Sequence, residues 1–179
     1  MNTINEAGFL SEDINQWIDK NRKENLDIFN LIFDFNKFAQ KLFFEIVVHK
    51  DEARELLLST LYIRSLSIFQ STITLAERGF ESETRILIRS LMEVMFTLVA
   101  SVKNENTADK IILSEYIDTL KTIRRLKNYK GPIDDFGNIK DLLDREKHLE
   151  KEVGEKNIKN LSVAELSVLS GLQKNYLSI

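Results

Sequence analysis

Apolar residues recur along most of the chain at steps of three and four positions, which is the spacing of one face of an α-helix. No stretch shows the sustained alternation of apolar and polar residues that marks a half-buried strand. A single proline and only six glycines interrupt the chain, and so little punctuation favours long helices. The pattern therefore predicts an all-α fold, an antiparallel helical bundle of long helices with shorter N- and C-terminal helices.

Capping and breaking signals divide this pattern into seven helices. The first begins after Ser11, a candidate N-cap. The others are predicted at about Asn25–His49, Asp51–Arg78, Ser82–Lys103, Thr107–Tyr129, Phe136–Glu155 and, from a Ser162-x-x-Glu165 capping box, to near Gly171. Gly79 suits the left-handed residue that ends a helix, and Ser82 suits the next N-cap. No glycine or proline separates the second and third segments, so one kinked helix is an alternative there.

Two segments are predicted to supply most of the core. The fourth is apolar nearly all round, which places it at the centre of the bundle. The second holds six of the eleven phenylalanines. Its apolar positions predict core packing, and they are Leu26, Phe29, Phe33, Leu42, Phe43 and Phe44.

The chain of 179 residues suits one domain. Within it, residues 1–24 form an N-terminal helix and lead-in, residues 25–130 form the bundle body, and residues 133–179 form a charged helix and the C-terminal helices. A net charge of −3 gives no general attraction to nucleic acid. The two most apolar segments, Phe29–Val48 and Ile86–Val102, carry charges that argue against membrane spans. The absence of cysteine and of a signal-peptide pattern favours the cytoplasm.

The most unusual polar feature is a charged row on the fourth helix. Arg85, Arg89 and Glu93 are four residues apart and share one face. Arg89 and Glu93 lie mid-helix among large apolar residues, which predicts a buried polar centre that Arg64 of the third helix could join. The residues Arg64, Arg89 and Glu93 are then candidates for binding a carboxylate or phosphate. The favoured alternative is a structural ion pair that fixes how the helices pack.

No catalytic, metal-binding or cofactor-binding residue is predicted. The chain has no cysteine and only two histidines, His49 and His148. Neither stands in the Glu-x-x-His spacing that di-metal helical bundles use. There is no glycine-rich phosphate loop and no nucleophile elbow.

Two surface features bear on partners. The end of the fifth helix carries a basic cluster, Lys121, Arg124, Arg125, Lys127 and Lys130. Cations are favoured at helix C-termini, and the alternative is a contact with a phosphate backbone. The sixth helix has a narrow apolar seam in the range Ile139–Val153, interrupted by Glu146. That seam packs either on the chain's own bundle or on a second subunit or partner protein.

Three motifs, at Leu61–Leu66, Glu77–Phe80 and Ile88–Glu93, resemble a bacterial family of all-α domains of unknown function. In that family a glycine-ended helix precedes an Arg-Ser-Leu-x-Glu helix. The resemblance implies that the segment Val163–Ser178 leads into a last long helix with a histidine. Because the sequence stops at Ile179, the chain looks truncated relative to the family.

Two functions follow. The favoured one is a binding or interaction module. The alternative rests on the likeness of some family members to the HEPN superfamily of helical nucleases and toxins, and is an RNase or phage-defence relative without its catalytic helix. The HEPN motif places His four to six residues after Arg, whereas Arg145 and His148 are three apart.

Overall fold

All regular structure in the described part of the chain is helical, which confirms the predicted all-α bundle. The computed structural model describes residues 4–128, 139–154 and 160–173. The helices are α1 (Ile4–Ala7), α2 (Ile14–Glu24), α3 (Leu26–Glu45), α4 (Ala53–Glu77), α5 (Glu81–Lys103), α6 (Glu105–Lys127), α7 (Ile139–Val153) and α8 (Val163–Ser170), with a 3-10 turn at Gly8–Leu10. Several predicted features lie outside the described residues, namely Tyr129, Lys130, Gly131-Pro132, Phe136, Glu155 and the stretch 176–179.

Glycine ends two of the helices as predicted. Gly79 has a φ of +80°, and the Phe80 N–H donates to the Leu75 carbonyl at 3.0 Å. This is the Schellman arrangement, which satisfies the last carbonyls of α4. Gly171 ends α8 with a φ of +76°, and the Ser162–Glu165 capping box starts that helix. The short turn at Gly79 makes α4 and α5 antiparallel neighbours.

Two predicted N-caps are wrong. Helix α2 begins at Ile14, and Ser11 Oγ accepts a hydrogen bond from the Asp13 N–H at 3.0 Å, before the helix starts. Helix α5 begins at Glu81, so Ser82 lies inside its first turn. Serine bonds to nearby backbone in turns as well as at helix starts, which makes its position a poor guide to the first helical residue.

The alternative of one kinked helix over the second and third segments is also wrong. Helix α3 ends at Glu45, and Ile46 has extended backbone with φ −71° and ψ 121°. The connection is held by Glu55, whose carboxylate accepts from the His49 N–H at 2.8 Å. A side-chain acceptor six residues along the chain therefore replaces the helical bond.

Helix α5 lies at the centre of the bundle, as its apolar surface predicted, and packs against α4, α6 and α8. Phe96 and Ala100 of α5 are fully buried and contact Leu166 of α8. Helix α3 packs on α4 and α2 and belongs to neither buried cluster. The result is a centre formed by α4 and α5, with α3 on one side of it.

The apolar seam of α7 packs on the chain's own bundle. Leu149 and Val153 are buried against Leu120 and Ile123 of α6. The side chain of Ile139, at the start of the seam, is outside the described residues. Helix α6 therefore covers Leu149 and Val153, and a contact of α7 with a second subunit or partner protein stays a prediction.

Helix α2 closes the turn between α4 and α5. Asn21 Nδ2 donates to the carbonyls of Ala76 and Glu77, each at 3.1 Å. Arg22 binds the Glu77 carboxylate through two nitrogens, at 2.8 and 2.7 Å. The Glu77 side chain is only 9% exposed, so Arg22 compensates a nearly buried negative charge.

We expect Arg22→Ala to lower the free energy of unfolding by roughly 1–3 kcal/mol, because Glu77 would keep its burial and lose its partner. Lys20→Ala is the matched control, since Lys20 lies on the same helix in an exposed pair with Glu24. That variant should change stability by less than about 0.5 kcal/mol. Urea denaturation measures both, and equal effects would contradict the role of Arg22.

Candidate functional site

The predicted buried polar centre is wrong in this chain. The side chains of Arg89 and Glu93 are 70% and 38% exposed, and their atoms Nε and Oε1 are 3.4 Å apart. Arg85 pairs with Glu81 instead, and Arg64 of α4 is exposed. The prediction failed because the apolar residues adjacent to Arg89 in sequence lie on other faces of the helix, so they do not cover its side chain. An anion-binding role for Arg64, Arg89 and Glu93 stays a prediction, now of a surface site.

The carboxylates that are nearly buried are elsewhere. Besides Glu77, Glu146 of α7 is only 10% exposed at its side chain and binds Lys127 Nζ at 2.6 Å. Arg124 pairs with Glu150 at 2.8 Å, and Lys121 pairs with Asp118 at 2.7 Å. Three cations of the basic cluster on α6 are thus paired within the chain. A contact with a phosphate backbone stays a prediction, and it would have to exchange these pairs.

An open groove has α4 as its floor and α3, with the segment that follows it, and α5 as its walls; it is called here the α3–α5 groove. It consists of two adjoining clefts of about 290 and 540 Å³, both lined by Tyr62 and Leu98. The first cleft is lined by Phe35, Phe38, Ala39, Leu42, Ser65, Leu66, Phe69, Leu91 and Met95. The second is lined by Ile46, Val47, Val48, Glu55, Leu58, Ser59, Val99, Val102 and Lys103.

Tyr62 links the floor of the groove to its α3 wall. Its hydroxyl donates to the Ala39 carbonyl at 2.8 Å. Burial raises the pKa of the Tyr62 phenol above its ordinary value. The phenol therefore stays neutral at physiological pH and acts as a fixed hydrogen-bond donor between α4 and α3.

A hydrogen-bonded pair, Glu55 with His49, stands at one end of the groove. Glu55 accepts from both the backbone N–H and the ring Nδ1 of His49, each at 2.8 Å. These two bonds, the backbone bond first, lower the pKa of Glu55. The pair holds the chain between α3 and α4, and with it the Ile46–Val48 part of the groove wall.

The groove offers little for chemistry on a polar substrate. Its three hydroxyls all donate within the chain, Ser59 to the Leu56 carbonyl, Ser65 to Leu61 and Tyr62 to Ala39. In residues 4–128, 139–154 and 160–173, no three acidic or histidine side chains come close enough together to hold a metal ion. A search of the same residues finds no helix able to cross a membrane. The arrangement favours binding an apolar surface.

Comparison with known proteins places the chain in a family. Residues 55–179 match DUF5677, a family of unknown function. The chain belongs to the DUF5677 family. No curated protein and no solved structure gives a significant match. The DUF5677 match confirms the resemblance to a domain family of unknown function and gives no support to the RNase alternative.

The part that matches DUF5677 includes one wall and most of the floor of the groove. Residue 55 lies near the start of α4, so α4 and α5 fall within the matched range and α3 precedes it. The groove therefore lies between the matched range and α3, which precedes that range.

Sequence analysis missed the groove because it assigned α3 to the core. Phe29 is buried as predicted, and Phe33, Leu42 and Phe43 are partly buried. The prediction of core packing is wrong for Leu26 and Phe44, which are 55% and 80% exposed. The sequence did hold a signal for this exposed face of α3. The phenylalanines of that helix outnumber those that one buried helix face can hold.

We expect Arg89→Ala to change the free energy of unfolding by no more than about 0.5 kcal/mol, because its pair with Glu93 is exposed. Phe96→Ala on the same helix should cost about 3–5 kcal/mol, since Phe96 is fully buried. Urea denaturation compares the two. A loss for Arg89→Ala as large as that for Phe96→Ala would show that Arg89 is structural.

The pKa of Glu55 should lie below its ordinary value of 4.5. His49→Ala removes the ring bond and keeps the backbone bond, so this variant should raise the pKa only part of the way. The stabilisation belongs to the ionised carboxylate, and it is lost as pH falls through the lowered pKa. Carbon NMR titration of the Glu55 carboxyl measures the shift. A pKa unchanged by His49→Ala would contradict the ring contact.

Proposed function

We propose that this chain is a binding module that holds the apolar face of a helix in the α3–α5 groove. The observation that carries the proposal is the lining of the groove. Apart from Glu55 and Lys103 at one end, it is formed by aliphatic and aromatic side chains and by hydroxyls already bonded within the chain. A concave apolar surface of this kind is what helix-in-groove recognition uses.

The length of the groove suits a short helix. Its floor runs along α4 from Glu55 to Phe69, which is about 21 Å at 1.5 Å per residue. A helix of about four turns would present three or four apolar anchors at i, i+3, i+4 and i+7 over that distance. A small polar ligand would leave most of this surface uncovered.

A cytoplasmic location remains part of this proposal. The absence of cysteine fits a reducing compartment. A binding role also agrees with the hydroxyls of the groove, each of which already donates to a backbone carbonyl. A binding module that holds a partner helix needs no free nucleophile.

The test is site-specific photo-crosslinking in cells that produce the full chain. Benzoylphenylalanine replaces Phe38, which lines the groove and is 58% exposed. The matched control places it at Phe9, a 49% exposed phenylalanine that lines neither cleft. We expect one discrete product from position 38 whose crosslinked peptide is apolar on one helical face, and no such product from position 9.

Substitution of Leu91 by Asp in the groove should remove the product. No product from position 38, or equal labelling from position 9, would overturn the proposed function. The mass of the crosslinked product also tells whether the partner is another protein or this chain itself.

A further inference from the structure

Helix α3 has a second apolar stripe, which lies beside its contact with α4 and shares Phe35 with that contact. Ile28, Leu31, Phe35 and Phe38 are 60%, 72%, 55% and 58% exposed. With the half-buried Leu42 they follow steps of three, four, three and four residues. This is the a/d spacing of a coiled-coil seam. An exposed apolar face of this extent marks an interaction surface.

The seam runs beside the α3–α5 groove. Phe35, Phe38 and Leu42 belong to the seam and also line the groove. On the α4 side of the seam, Ala39 is buried. On the other side stand Asp34 and Lys41, seven residues apart and 73% and 75% exposed at their side chains. A helix laid on the seam would thus meet apolar groove on one side and charges on the other.

We propose that the occupant of this surface is α3 of a second copy of the chain, packed antiparallel across a two-fold axis. The inference rests on the proposed function and names the partner of the same groove. If Phe35 faces Phe38 of the second copy, Leu31 faces Leu42. Asp34 of each copy then lies beside Lys41 of the other. One surface supplies both halves of the contact, as a two-fold interface requires.

The charges of Asp34 and Lys41 favour the antiparallel pair of helices over a parallel one. In a parallel pair, residues on the Asp34 side of the seam would face those on the Ala39 side of the other helix. That arrangement gives Asp34 and Lys41 no charged partner. The antiparallel pair forms two equivalent ion pairs. Their present partners, Lys37 at 3.0 Å and Glu45 at 3.7 Å, are exposed neighbours on the same helix, and such pairs exchange at little cost.

The exposed seam supplies more than half of the area that a standard dimer interface needs. Four large side chains more than half exposed supply on the order of 500 Å² per copy, since an aromatic side chain buries about 150–250 Å². A standard interface needs about 800 Å² per partner. In the proposed dimer, the rest of the area has to come from the groove lining of α4 and α5 and from the Asp34–Lys41 side.

The experiment is a measurement of mass in solution by analytical ultracentrifugation of the full chain and its variants. We expect the native chain to be a dimer of the 20.8 kDa subunit. Asp34→Lys alone and Lys41→Asp alone each place like charges opposite one another twice. Each should weaken self-association about tenfold or more at low salt.

Mixing the two single variants should restore the dimer as a heterodimer, because every pair across the interface is then of opposite charge. Leu31→Glu should give a monomer that mixing does not rescue. Arg85→Glu is the control, since its exposed pair with Glu81 is four residues apart on a helix, like the pair of Lys41 with Glu45, and it should leave the mass unchanged. Circular dichroism confirms that each variant is folded.

A monomeric native chain, or a dimer that ignores these substitutions, would overturn the inference. If the chain is monomeric and position 38 still crosslinks another protein, the proposed function stands with a different partner helix. If the chain is monomeric and position 38 crosslinks nothing, both fail.

Discussion

The antiparallel packing of α4 on α5 is the contact on which the rest of the structure depends. It requires the reversal at Gly79, whose φ of +80° is open to glycine at little cost. A Cβ atom there would also come within 3.2 Å of the Trp17 indole. Helix α2 seals this turn, α8 and α6 pack on α5, and α3 packs on α4. Every other helix in the described ranges except α1 and α7 is positioned by this pair.

The position of α3 depends on which surface of the α4–α5 pair the other helices leave uncovered. Helix α3 reaches α4 and α2, and it lies outside the buried clusters that α5, α6, α7 and α8 form. Its aromatic residues cover both faces, while the bundle covers one. Phe69 of α4 meets Phe35 edge to face at 5.3 Å, and Tyr62 bonds to Ala39. These contacts fix α3 at an angle that leaves the groove open, and exposed apolar area is the consequence.

Whether a charged side chain is buried depends here on whether its partner lies on another helix. Among the residues whose burial the structure describes, the nearly buried carboxylates are Glu77 and Glu146, and they pair with Arg22 and Lys127 of another helix. Arg89 and Glu93 pair along one helix and stay in solvent. A pair within one turn of helix can form without any tertiary contact, so it says nothing about burial. An interhelical pair is part of the packing itself, and it is there that removal of one partner is costly.

The sequence by itself determined most of the helices and the approximate positions of their ends. Helical periodicity, the glycines at 79 and 171 and the Ser162–Glu165 box predicted seven helices, and six of the predicted segments match α3 to α8 to within a few residues wherever the ends are described. These signals are local, because a helix and its caps are formed by residues close in sequence. Motifs within residues 55–179 also identified the family type.

Only the tertiary structure decided which faces are covered. The burial of Glu77 depends on Arg22, 55 residues earlier, and the exposure of Phe35 and Phe38 depends on where α5 lies. An apolar stripe has the same sequence pattern whether or not another helix covers it. Helix α6 covers the stripe of α7, whereas the second stripe of α3 is exposed. Burial is a property of the neighbours that the fold supplies, and those neighbours are distant in sequence. The candidate site lies where such a neighbour is absent among the described helices.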